Sequence, residues 1–180
     1  MAISEERKMH GYIIGELVKH CTTINNVSLS VQENTSRSAY TCHCFREAAL
    51  VSEFGVFVKL SNKRRSPWRY NFIREHQNEI DELKIKCNEV FIILVNGDDG
   101  VACFNYETLK VLLDDFHEDQ EWISVKRGLR EQYAIAGKDG QLPFKVASSS
   151  FPAVITDFIQ TSGFGESKSH DKNKAWYKVW

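Results

Sequence analysis

At 180 residues with a formal net charge of −1, the chain fits one domain, or one domain with a tail, and is not a protein that clings to polyanions over its whole surface. Its 42% hydrophobic residues suffice for a core, and no apolar run reaches the roughly 20 residues that span a bilayer. The N-terminus, MAISEERKMH, is too polar for a secretion signal, and five cysteines without disulfide-like spacing read as reduced thiols of a cytoplasmic protein.

Ser4 is a helix N-cap, with Glu5 and Glu6 in the first turn, and Met9, Tyr12, Ile13, Leu17 and Cys21 recur at helical spacing, which predicts a helix over 4–21. Val27, Leu29 and Val31 alternate with polar residues as in a strand with one wet face, and 34–38 is a turn. Strands are predicted over 40–46 and 54–61, with a loop over 47–53 between them. As an antiparallel hairpin, these two would put Tyr40, Cys42, Cys44, Val56, Val58 and Leu60 on a core face. Thr41, His43, Phe45, Phe57, Lys59 and Ser61 would share the other, bringing His43 near Lys59.

Pro67 breaks the chain before a helix expected to run from Trp68 or Tyr70 to Lys86, with Ile73, Gln77, Ile80, Leu83 or Lys84, and then Cys87 along its buried side. Gln77 is a polar group on an apolar line and needs a partner if buried. Residues 89–95, EVFIILV, form a strand covered on both faces. Asn96-Gly97-Asp98-Asp99-Gly100 is a turn, explained by turn chemistry rather than by a metal on its aspartates. Val101 to Phe104 returns as a strand, and Asn105 caps a helix with Leu109, Leu112, Leu113 and Phe116 facing inward. Short strands follow near 122–126 and 133–136, then a turn at Lys138-Asp139-Gly140 and a short helix from Ser150 to about Gln160. The expectation is one α+β domain over 1–162, built on a mixed central sheet flanked by helices, with 163–180 a mobile linker and aromatic tail.

Charge is unevenly spread. From Phe54 to Arg74 the chain carries Lys59, Lys63, Arg64, Arg65, Arg69 and Arg74 and no acid, with Trp68 and Tyr70 interleaved. Cations beside flat aromatic rings suit a phosphate backbone and exposed bases, so Lys59, Lys63, Arg64, Arg65, Trp68 and Arg69 are the candidate contacts to DNA or RNA. Against them stand Asp98, Asp99, Glu107, Asp114, Asp115, Glu118, Asp119 and Glu121. If those acids neutralise the basic loop, the loop is merely a solvated surface. Trp68 is also readable as a core plug. Cys42-His43-Cys44, with His20 and Cys21, lacks a paired CxxC, and strand alternation turns His43 away from the cysteines, which favours buried thiols over a metal site.

The order helix, three strands, helix, two strands and helix resembles the core of the restriction-endonuclease-like, PD-(D/E)xK superfamily over roughly 4–104. The resemblance implies phosphodiester cleavage with Mg2+ held by clustered carboxylates. It places Glu16 at the first-helix acid, Lys59 at the third-strand lysine and Gln77 at the helix glutamine, with His43 on the second strand where the family has an aspartate. Phe57 stands where the acid before x-Lys belongs. Glu16, His43, Lys59 and Gln77 are therefore the candidate catalytic set of a degenerate, nuclease-like domain. The alternative is a non-enzymatic protein-interaction module or homodimer that uses the acidic segment and the tryptophan-bearing tail.

Overall fold

The computed structural model describes residues 3–162. A helix, α1 (Glu5–Asn25), leads into strands β1 (Ser28–Glu33), β2 (Ala39–Arg46), β3 (Ala49–Ser61) and β4 (Trp68–Ile73), then helix α2 (Arg74–Lys86). Strands β5 (Glu89–Asn96) and β6 (Val101–Asn105), helix α3 (Tyr106–Leu112), strands β7 (Gln120–Lys126) and β8 (Ala134–Gly137), and helix α4 (Ser150–Ser162) complete it. The protein is α+β, with a mixed central sheet in the order β1-β2-β3-β5-β6. Its β3–β5 pair is parallel and the others are antiparallel. A second, antiparallel sheet runs β4-β7-β8.

The central sheet separates two apolar cores. Ile13, Leu17 and Cys21 of α1 and Ile155 and Ile159 of α4 cover one face, meeting Cys42, Val56, Phe91 and Ile93. On the other, Ile80 and Leu83 of α2, Leu109 and Leu112 of α3 and the inner face of the small sheet meet Phe57, Ile92 and Leu94. β5 serves both cores by alternation, which is why its sequence is apolar throughout.

Three departures from the sequence expectations have physical causes. First, 68–73 is a strand, not the start of α2. Its aromatic residues at 68, 70 and 72 are buried while Arg69, Asn71 and Ile73 are exposed, a period of two that burial against β7 enforces. Second, β2 and β3 join through a turn at Glu47 and Ala48, both left-handed with φ of 50° and 67°, so β3 begins at Ala49 rather than Phe54. Third, α1 continues to Asn25, because the helix stops only where Asn26 adopts the left-handed cap and the N–H groups of Asn26 and Val27 donate to the Cys21 carbonyl. The hydroxyls of Thr22 and Thr23 donate to the carbonyls of Val18 and Lys19 within the added turn. Phe116 lies beyond the end of α3 and is exposed, contrary to its expected inward position. The expected linker and tail lie outside the described residues.

Candidate nucleic-acid interface

Loop 62–67 joins the central sheet to the small one and presents Lys63, Arg64 and Arg65 to solvent. Its backbone is anchored at both ends. The Trp68 indole N–H donates to the Lys63 carbonyl at 2.8 Å, and the Arg127 backbone N–H donates to Ser66 Oγ at 3.0 Å. Gly97 packs beneath it: a Cβ there would lie 2.7 Å from the Lys63 carbonyl oxygen, and its φ of +54° favours glycine independently. Trp68 is thus a core plug, 2% exposed, and not the base-stacking platform that its place in the basic stretch suggested.

Beyond the loop, the outer face of the small sheet continues the cationic surface. Register sets Arg69 opposite Ser124 and Asn71 opposite Trp122. The Arg69 guanidinium lies over the half-buried Trp122 ring, 4.6 Å from its centroid. Lys126, exposed at the end of β7, follows Val125, the register partner of Trp68, and so abuts the loop. Trp122 is the aromatic group that sequence reasoning missed. Its signal is weak, because its partner strand is remote in sequence and lies where the sequence pattern predicts a helix.

Four of the eight acids set against this surface are engaged elsewhere, while Asp98, Glu107, Asp114 and Glu121 form no ion pair among the described residues. Asp99 pairs with Arg127 at 2.8 Å, Asp115 with Lys110 at 3.0 Å, Asp119 with Arg74 at 2.9 Å, and Glu118 with Lys138. Among the described residues, none of the ion pairs engages Lys63, Arg64, Arg65, Arg69 or Lys126.

The four candidate catalytic residues do not converge. Glu16 belongs to α1, on one side of the central sheet, beside Lys19 and His20. Lys59 and Gln77 lie on the opposite side, toward the start of α2. His43 sits across from Glu53 in the β2–β3 register, its Nε2 3.2 Å from the Glu53 carboxylate. Six residues of β3 part Glu53 from Lys59, about 20 Å at the rise of a strand, so the expected nearness of His43 and Lys59 is corrected. A Mg2+ ion cannot take ligands from Glu16 and His43 together in this arrangement, and the metal implied by the nuclease resemblance does not fit these residues.

Lys59 and Gln77 nonetheless each occupy an unusual environment. Burial pushes the Lys59 ammonium down to about 8, with Glu6 partly offsetting it, and its Nζ is 5.6 Å from the Phe72 ring centroid. Burial and the Lys59 charge bring His76 down to about 4. Gln77 is 3% exposed, and its Nε2 has no hydrogen-bond partner. Lys59 is therefore a half-buried group rather than part of the open cationic surface. The cysteines are all buried free thiols, which agrees with their alternation away from His43.

Fold and surface together define a two-sheet α+β domain that carries an open cationic loop and strand. No protein-family profile, curated protein or solved structure matches the chain.

Proposed function

We propose that this domain binds nucleic acid through the phosphate backbone, using Lys63, Arg64 and Arg65 of the anchored loop together with Arg69 and Lys126 of the small sheet. The observation that carries the proposal is that none of the five cations has an acidic partner among the described residues, while Asp99, Asp115, Glu118 and Asp119 pair with other bases. Anchored backbone lowers the ordering cost of binding, and exposed Lys and Arg release counterions from a polyanion. The Arg69–Trp122 stack adds a flat cationic platform against which an unpaired base can lie. The rival, a protein-interaction module built on the acidic segment, has less support because four of its eight acids are tied up in internal ion pairs.

The test is a salt titration of binding to single- and double-stranded DNA and RNA. The expected result is binding at low salt that weakens linearly with the logarithm of salt concentration. Replacing Lys63, Arg64 and Arg65 together by Ala should reduce the slope by roughly 2–3, at about 0.7–0.9 per lost phosphate contact. The unfolding midpoint should hardly move, since these side chains are solvent-exposed. No binding at low salt, or a triple variant with an unchanged slope, overturns the proposal.

A further inference from the structure

At the other end of β7, three carboxylates gather with no ion pair among the described residues. Asp114 follows α3, Glu121 lies near the start of β7, and Asp139 sits in the turn after β8. Each offers an oxygen within 4.8 Å of those of the other two. In each, one oxygen already accepts a backbone N–H. Asp114 Oδ1 accepts from Phe116 at 2.7 Å, Asp139 Oδ2 from Asp114 at 3.1 Å, and Glu121 Oε1 from Glu118 at 3.5 Å. Glu121 is 1% exposed, and its Oε2 is buried with no hydrogen-bond partner. A buried carboxylate oxygen left bare is costly unless a cation meets it.

The nearby bases form no direct pair with the three. Lys138 pairs with Glu118 and faces Asp139 and Glu121 only at longer range, and Arg74 pairs with Asp119, so Asp114, Glu121 and Asp139 make no ion pair among the described residues. The frame around them is tight. The Asp139 backbone N–H donates to the Leu112 carbonyl at 3.1 Å, and a Cβ on Gly137 would fall 2.1 Å from the same carbonyl oxygen. Only a glycine lets the β8 turn press against the end of α3, and that contact fixes Asp139 beside Asp114.

We propose that Asp114, Glu121 and Asp139 form a binding site for a hard divalent cation of the Ca2+ or Mg2+ class. Oxygens up to 4.8 Å apart surround an ion held at roughly 2.3–2.6 Å from each, the Ca2+ range, and a purely carboxylate donor set favours hard cations over Zn2+ or Cu2+. The ion would meet the bare Glu121 oxygen and clamp the α3–β7 connection to the β8 turn. Five residues of β7 place Glu121 about 17 Å from Lys126, so the site is separate from the cationic surface.

The experiment uses the full chain, stripped with EDTA, and follows Ca2+ and Mg2+ binding by calorimetry. Tb3+ luminescence sensitised through the adjacent Trp122 is the second probe. The expected result is saturable binding of one ion, a rise in the unfolding midpoint, and displacement of Tb3+ by Ca2+. Asp114→Asn with Asp139→Asn retains the oxygens that accept backbone N–H groups but removes two charges, so it should weaken binding by about tenfold or more while the metal-free protein stays folded. Glu121→Gln should abolish binding. If the double variant does not fold, Asp139→Asn alone gives the same comparison. Absence of saturable binding at millimolar Ca2+ or Mg2+, Tb3+ binding that neither ion displaces, or variants that bind as well as the parent overturn the proposal.

Discussion

Replacing Lys59 by Met should stabilise the protein at neutral pH. Lys59 is half-buried beside Phe72 and His76, and no carboxylate among the described residues forms an ion pair with it. Its fall from 10.5 to about 8 puts a ceiling of about 3 kcal/mol on what charging it costs the folded state. A lysine can snorkel its ammonium toward water, and solvent screens part of that penalty, so ~1–2 kcal/mol is the expected gain. Methionine fills the space of the stem and places a polarisable sulfur near the Phe72 ring. For a domain of this size the gain corresponds to a rise of ~3–6 °C in the unfolding midpoint. The pH dependence supplies the check. Between about 8 and 10.5 the unfolded chain still protonates Lys59 while the folded chain does not, so parent stability from this group rises with pH across that window. The advantage of Met should therefore be full below pH 8 and fade as pH approaches 10.5. Matched thermal or urea unfolding of the two proteins from pH 7 to 10.5 reads the difference directly. A destabilised Met variant at pH 7, or an advantage independent of pH, would refute the reasoning.

Two further outcomes follow from the packing. Gly97→Ala should cost about 1–3 kcal/mol, because φ is +54° and the new methyl meets the Lys63 carbonyl oxygen. Denaturant unfolding measures it, and a neutral result would mean the loop moves aside freely. The five thiols should resist alkylation by iodoacetamide at pH 8 until the chain unfolds. Burial pushes Cys21 up to about 12 and Cys44 and Cys87 to about 11, and raises Cys42 and Cys103 as well. Rapid modification of any of them under native conditions would contradict that burial.

How much was legible in the sequence depended on how local the cause was. The apolar run 89–95 announced a strand covered on both faces, and Ser4 and Asn105 announced their helices through short-range capping. The Glu47–Ala48 turn was hidden because its left-handed residues are neither glycine nor asparagine. β4 was hidden because the helical stripe that begins at Ile73 runs on directly from it, and the partner that makes 68–73 a strand lies some 50 residues downstream. At the candidate interface, Lys63, Arg64, Arg65 and Arg69 were visible as a charge run. That they lack acidic partners is a tertiary fact. Trp122 and Lys126 join the surface only through the β4–β7 register, and the Asp114–Glu121–Asp139 cluster only through the approach of the β8 turn to α3. The catalytic grouping failed for the same reason: the central sheet stands between Glu16 and Lys59.

The route of the chain between its two sheets limits how the protein can be cut. β4 is delivered inside the crossover from β3 to its parallel partner β5, whereas β7 and β8, which complete its sheet, arrive only after α3. Any truncation before β7 leaves the aromatic row of Trp68, Tyr70 and Phe72 uncovered, and the fragment removed carries Ile123, Val125 and Ile135 without the layer they pack on. Neither piece keeps a complete interior, so the second layer can close only once the chain through β8 has been made.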